Sequence, residues 1–451
     1  MSDTVKRDDV VPLRQATRAW FLVSLQTFGG PAGQIAVMQR MLVDERRWIG
    51  QQRFLFALSY CTLLPGPEAQ QLATYVGWLL NGVRGALVAG VLFVLPGLVA
   101  MLVLSAVYVT YGDTAVLDGL FLGLGPAVLA IVVQAVLRIA RRSMTHPVLV
   151  ALAVSSFVAL AFFAVPFPYV LVVAAVVGWT ARRALATSSA SAPPDDGPPP
   201  LVPDEALHAD RPSSRRTAAV LGIGLVLWMA PVALAAMVLG GGSTVVDQGV
   251  FFGGTAVISF GGAYAVLAFV AQRAVDVYGW LSPGEMVRGL ALAETTPGPL
   301  VMVVQFVAFL GAYRDPGALS PWAAAVVASL VVTWVTFVPS FVFILLGAPY
   351  VERLRGHRGL TAALTGITAA VVGVIASLAL YFAVHTLFDG TTAVTAGWLS
   401  FDVPRPSTVR WDAVAMAALG FGLAFAARWS VLRTLAVCAV LGLTVGVVRS
   451  F

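Results

Sequence analysis

The chain has 451 residues, of which 59% are hydrophobic and 11% charged, with a formal net charge of +6. Soluble domains carry about 25% charged residues, and a soluble chain of this length has too little interior to hide so much apolar surface. These figures exclude a soluble enzyme, and the scarcity of aromatic–basic clusters argues against a nucleic-acid partner.

Residues 1–14 form a polar, cytoplasmic N-terminus; no cleavable signal peptide is expected, because the polar start runs through Asp9 and no small-residue cleavage site follows in the right place. Segment 15–43 is apolar but broken at Gly29-Gly30-Pro31-Ala32-Gly33, and segment 53–80 is broken at Pro65-Gly66-Pro67. Unbroken runs follow at 85–110 and 115–137, each meeting the roughly 20 residues a spanning helix needs. Residues 185–217 are Ser/Pro-rich with almost nothing to bury, and read as a linker. Residues 218–240 form an extra linking transmembrane helix, and spanning runs recur at 323–347 and 359–382.

The flanks of the linker are duplicated. Phe28-Gly29-Gly30 recurs as Phe260-Gly261-Gly262, Asp44 as Asp276, Trp48 as Trp280, and Pro65-Gly66-Pro67 as Pro297-Gly298-Pro299, all at one spacing of 232 residues. Beyond that the spacing becomes 243, matching Pro96 to Pro339 and Gly123 to Gly366, which fits an insertion around 315–321. The repeats are therefore 15–184 and 245–449.

Lys and Arg in short loops mark the cytoplasmic side. Arg14, Arg18, Arg40, Arg46, Arg47, Arg53 and Arg84 put those loops of the first half inside; the turn Tyr111-Gly-Asp113, without a cation, lies outside; Arg138 and Arg141 return the chain inside, Val165-Pro-Phe-Pro168 lies outside, and Arg182 and Arg183 lie inside, so the linker is cytoplasmic. In the second half the pattern reverses. The match of the Arg46–Arg47 loop is Tyr278-Gly279, and the match of the outer turn is the basic stretch 352–358. The expected fold is an all-α polytopic membrane protein of two inverted repeats, N-terminus inside and C-terminus outside, with broken or re-entrant half-helices meeting near the midplane. Hairpins and crossing helices with unwound middles both remain open.

Short, Gly/Pro-interrupted segments at matching places in two halves point to a transporter site. For one such break a kink or packing turn is the simpler reading; the recurrence of both favours a site. Proline ends one half-helix and fits the first turn of the next. After Pro65-Gly66-Pro67 the N–H groups of Glu68, Ala69 and Gln70 have no helical acceptor and carry the positive end of the helix dipole, a ready site for a tetrahedral oxyanion. Gly29, Gly30 and Gly33 allow close backbone approach, with Gln34, Gln70 and Gln71 as neutral donors. Gly261, Gly262, Pro297, Gly298 and Pro299 supply the other side. Glu68 and Glu294 are the proton-coupling candidates, since a carboxyl out of water is able to carry a proton. They are not equivalent by repeat position: Glu68 matches Leu300, and Glu294 matches Thr62. Arg18, Arg40, Arg46, Arg47, Arg53 and Arg288 are candidates for steering anions, although topology accounts for most of them equally well. Glu285 and Arg288 have the spacing of an interfacial ion pair. Trp48, Trp179, Trp280, Trp322, Trp398 and Trp411 read as interface anchors. Cys61 and Cys438 are expected as buried hydrophobes, and the four scattered histidines give no metal spacing.

Phe28-Gly-Gly-Pro-Ala-Gly-Gln34, Glu45-Arg-Arg-Trp48 and Leu64-Pro-Gly-Pro-Glu-Ala-Gln-Gln-Leu-Ala73 resemble the signatures of the chromate transporter family, as do Ser259-Phe-Gly-Gly262 and Thr296-Pro-Gly-Pro299 in the second half. The resemblance spans both repeats and is similar to the long, two-domain bacterial form. It implies chromate efflux across the inner membrane, driven by membrane potential or a proton gradient and conferring resistance. Sulfate, a tetrahedral dianion of similar size, is the alternative substrate, and an uncoupled anion channel the alternative mode. No enzyme motif and no dinucleotide-binding fingerprint occur, so no cofactor is expected. Membrane lipid is the expected surround; a homodimer is compatible with the sequence and not specified by it.

Overall fold

The structure, a computed structural model, describes residues 10–28, 30–62, 64–112, 114–185, 200–202, 213–260, 262–348, 358–396 and 398–449. Gly29, Gly261, the basic stretch 352–357 and most of the linker lie outside the described residues. Among those described the chain is helical throughout, except for one β-hairpin, β1 (Thr391–Ala396) with β2 (Leu399–Pro404).

In the first half, α1 (Leu13–Ser24) and α2 (Gly30–Gln39) are followed by α3 (Gln51–Cys61) and α4 (Glu68–Tyr111). Gly82, at φ 60°, bends α4 into antiparallel arms 68–80 and 83–111. A Cβ on Gly77 would lie 2.4 Å from Gly85 O, so only glycine lets the arms lie so close. Then come α5 (Ala115–Ser143), α6 (Pro147–Phe163) and α7 (Phe167–Thr180). After the linker, α8 (Ser214–Leu239) leads to α9 (Thr244–Val257), α10 (Ala263–Gln272), α11 (Pro283–Thr295) and α12 (Val303–Arg314). The chain ends in α13 (Pro321–Gly347), α14 (Arg358–Leu387), α15 (Trp411–Phe421) and α16 (Val431–Arg449).

Six of these helices are long and apolar enough to cross a membrane. The 83–111 arm displays its lipid face directly: Leu87, Val91, Leu95, Val99 and Val103, one per turn, are all exposed. An apolar stripe of that kind is stable in hydrocarbon and untenable in water.

The eight arms α1, α2, α3, 68–80, α9, α10, α11 and α12 have 10 to 14 residues each. At 1.5 Å per residue they reach about half of a ~30 Å hydrocarbon core. Their outer ends are tied together. In the first half Asn81 Nδ2 donates to Val11 O, Val10 N–H to Leu80 O, and Gln39 Nε2 to Gln51 Oε1. In the second, Thr244 Oγ1 donates to Asp315 Oδ2, and Arg314 bridges Trp280 O and the Glu285 carboxylate. The broken segments are therefore re-entrant hairpins.

The two hairpin pairs enter from opposite faces. Val10 and Leu80 mark one face, from which the 83–111 arm crosses to Tyr108 on the other. There Tyr108 and Asp118 meet Arg288, at the start of α11. The second half thus begins where the first ends, and the repeats are inverted. The scaffold helices are exchanged across the repeat axis, with α6 and α7 packing on α14 while α15 and α16 pack on α5.

Small residues make the second exchange possible. Gly119 and Gly123 of α5 face Gly442 and Gly446 of α16, and a Cβ on Gly123 would overlap Cys438 O. Close glycine contact of this kind drives helix association in lipid, where no hydrophobic effect does.

Trp48 and Trp280 depart from expectation. They are 4% and 7% exposed, so they are not interface anchors. Each closes the π-turn that follows α2 or α10, with its N–H on Leu42 O or Ala274 O at 2.8 and 2.9 Å. Trp179, Trp322, Trp398 and Trp411 are exposed.

Gly123→Leu should cost about 3 kcal/mol or more through overpacking. Folded protein recovered in mild detergent should fall sharply, and its thermal unfolding midpoint should drop, whereas Gly222→Leu on the open side of α8 should change neither.

Candidate functional site

At mid-depth each hairpin tip of one half meets the other kind of tip from the opposite half. Gly66, in the first Pro-Gly-Pro, donates its N–H to Ser259 O at 3.0 Å. Gly298, in the second, donates to Thr27 O, also at 3.0 Å. The donors are 232 residues apart, and so are the acceptors. The two bonds are one interaction made twice, across the repeat axis.

Glycine is required at both donors. Gly66 has φ +125° and Gly298 φ +102°, where side chains are strained. The long helices close in behind them beside their internal prolines. A Cβ on Gly66 would stand 2.5 Å from Ser340 Oγ, next to Pro339 of α13, and one on Gly298 would stand 3.2 Å from Gly97 Cα, next to Pro96 of α4. The match of Pro96 with Pro339 is thus a spatial one as well.

Around these bonds polar groups accumulate in a setting that lipid makes expensive. Gln34 Nε2 donates to Gly298 O at 2.6 Å, and Gln71 Nε2 to Pro65 O at 2.7 Å. Gln70 Nε2 donates to Thr74 Oγ1 at 3.1 Å. Gln71 N–H bonds Pro67 O, leaving the preceding N–H groups of Glu68, Ala69 and Gln70 at a helix start without helical acceptors. Glu68 Oε1 lies 3.3 Å from where a Cβ on Gly262 would be. Tyr264 supplies the mirrored arrangement: its OH lies 3.4 Å from the Cβ position of Gly30 and donates to Glu294 Oε1 at 2.5 Å. Among the described residues, fully buried Glu294 finds no partner for Oε2, nor do Gln70 Oε1, Gln71 Oε1, Thr336 Oγ1 and Ser340 Oγ. Unpaired buried groups cost about 1–3 kcal/mol each, so their concentration at the tips marks a polar site.

The candidates sort accordingly. Gly30, Gln34, Gly66, Gly262 and Gly298 come together, flanked by Pro65, Pro67, Glu68, Ala69, Gln70, Pro297 and Pro299. Gly33 packs under Phe28 O as part of the first tip. Gly66, Pro67, Ser259 and Gly262, with Thr255 and Thr336, line a space of about 10 Å³. That is room for one water at most.

The arginines lie elsewhere. Arg40 contacts Gln26 and Glu45, and Arg46 stacks on Trp48, both on the Val10 face. Arg18 is exposed, Arg47 is half-buried with φ 50°, and Arg53 is buried. Arg288 is on the other face. It does not pair with Glu285: the capping box of Ser282 and the guanidinium of Arg314 hold Glu285, and Arg288 bonds Asp118 at 3.1 Å.

Sequence reasoning missed Thr27, Ser259, Thr336, Ser340 and Tyr264. The recurrence of a hydroxyl residue directly before Phe-Gly-Gly was a usable signal for Thr27 and Ser259. Tyr264 matches Ala32 and had none.

Two inverted sets of re-entrant hairpins, meeting in a buried polar centre inside a bundle of apolar helices, define a polytopic membrane protein of the inverted-repeat class. The chain belongs to the chromate transporter family, whose model matches residues 14–179 and 246–443. It is 30% identical over 348 residues to a chromate transport protein of Pseudomonas aeruginosa, covering 76% of this chain and 74% of that one. It is 27% identical over 394 residues to the chromate transport protein of Cupriavidus metallidurans, covering 85% and 86%. With a probable chromate transport protein of Synechococcus elongatus it shares 25% over 417 residues, covering 89% and 94%. No solved structure gives a significant match.

Gln34→Leu keeps the volume but leaves Gly298 O unpaired, and should destabilise the protein by about 1–3 kcal/mol. A lowered unfolding midpoint of purified protein, restored by a return to Gln, is the expected result.

Proposed function

We propose that this protein exports chromate, a tetrahedral oxyanion, from the cytoplasm across the bacterial inner membrane, and so confers chromate resistance. The observation that carries the reading is the paired contact of Gly66 with Ser259 and of Gly298 with Thr27. It joins the two inverted halves at matched non-helical tips, where free helix N-termini collect. Four half-helices start at this centre, at Gly30, Glu68, Ala263 and, after a 3₁₀ turn over Leu300–Met302, at Val303, and helix starts favour anions without a fixed positive charge. Transport needs binding weak enough to release the anion, and neutral N–H donors meet that need.

Transport follows by alternating access. The halves rock about the shared centre, and the water-sized space at Gly66 and Gly262 widens toward one face at a time. The cytoplasmic face is the Val10 face, by the distribution of arginine, which leaves the C-terminal helix ending outside. Exposed Arg18 and Arg40 and partly exposed Arg46 and Arg47 then stand on the entrance side and raise the local anion concentration, whereas Arg53 is too buried for that role. Glu68 beside Gly262, and Glu294 through Tyr264 beside Gly30, are the proton-coupling groups, one for each half. Sulfate transport is the second reading, because helix starts bind any tetrahedral oxyanion of this size and charge.

Labelled chromate uptake into everted vesicles, energised and de-energised and with sulfate as competitor, tests the function. Energised uptake only partly blocked by sulfate is expected; accumulation of labelled sulfate without chromate would replace the substrate. Gly66→Leu and Gly298→Leu should each abolish uptake while the protein remains in the membrane by immunoblot. Glu68→Gln and Glu294→Gln should lose energised accumulation and retain passive chromate exchange. Unchanged accumulation in both would remove the carboxyls from coupling.

A further inference from the structure

Away from the hairpin tips, a cavity of about 340 Å³ opens on the Asp118 face among α5, α11, α14, α15 and α16. Its polar lining is Asp118, Arg288, His385, Thr386, Arg410 and Asp412. Arg288 stacks its guanidinium over Phe121, 5.2 Å from the ring centroid, and donates to Asp118 and to Tyr108 OH. Arg410 meets Asp389, a mostly exposed carboxylate, at 3.5 Å. His385 Nδ1 lies 2.8 Å from Tyr381 O. A carbonyl only accepts, so Nδ1 carries the hydrogen and Nε2 is left for another partner. Thr386 is 6% exposed, and its Oγ1 has no hydrogen-bond partner among the described residues.

We propose that this cavity is a second, weaker station for the same tetrahedral oxyanion, held by Arg288, Arg410 and Thr386. The proposal rests on the oxyanion reading above. The volume is that of a small-molecule site, in contrast to the water-sized space at the tips. Guanidinium groups match oxyanions in geometry and charge. α11 joins the two places: Arg288 stands about 12 Å of helix from Thr296, at the second Pro-Gly-Pro. Asp118 and Asp389 neutralise the arginines when no anion is bound, and Asp412 adds a further negative charge to the wall. An arriving dianion competes with these carboxylates for the guanidinium donors. That competition keeps the affinity low, as a station on the way out requires.

Chromate exchange in right-side-out and everted vesicles allows each face to be titrated separately. Arg288→Gln and Arg410→Gln should raise the half-saturating chromate concentration at the Asp118 face roughly tenfold, and Thr386→Val roughly threefold. The opposite face should be unchanged, and Arg410→Lys should recover most of the affinity. Thr386→Val keeps the shape and breaks no protein hydrogen bond of the hydroxyl, so its effect separates ligand contact from misfolding. Wild-type saturation at the Asp118 face in all three variants, or an equal loss at both faces, overturns the station and leaves the function standing. A wild type that exchanges neither chromate nor sulfate overturns both.

Discussion

Backbone inside a membrane has no water to satisfy its N–H and C=O groups. This chain places eight half-helix ends at mid-depth, and the constraint is most severe there. The reciprocal bonds from Gly66 to Ser259 and from Gly298 to Thr27 answer part of it. Each tip supplies what the opposite tip lacks, so neither half is complete alone. The close approach of Gly97 and Ser340, the side-chain bonds of Gln34 and Gln71, and the positive φ of the tip glycines all serve that contact. The N–H groups and side-chain oxygens that remain unanswered form the polar centre.

The same constraint explains the exchanged scaffold. Hairpins that reach only halfway cannot hold themselves in lipid by hydrophobic force, because lipid tails are as apolar as their side chains. They are held by tied outer ends, such as Asn81 with Val11 and Thr244 with Asp315. The long helices around them pack on one another through glycine, as α5 does on α16.

Much of this was legible in the sequence. Phe-Gly-Gly and Pro-Gly-Pro recur in register because a tip needs a residue at positive φ and a helix stop, and few residues supply either. The inversion was legible in arginine placement alone. What escaped depends on side chains meeting across halves. Glu294 and Glu68 are unrelated by repeat position, yet each lies by the glycine tip of the opposite half or is tied to it, Glu294 through Tyr264. No one-dimensional pattern carries such a pairing. Glu285 and Arg288 have ion-pair spacing, but Arg314 and Asp118 reach them first across the fold. Trp48 and Trp280 resemble interface anchors by position, but the π-turns before them fold each indole inward.

The central claim is that the two halves build one oxyanion site, not one site each. Equilibrium dialysis of labelled chromate against purified protein tests it most directly, with Gly66→Ala and Gly298→Ala compared with wild type. A single shared site predicts that either substitution alone removes all of the tighter binding. Loss of half the tighter binding in each variant, with full loss only when both are combined, would show two independent sites and contradict the account.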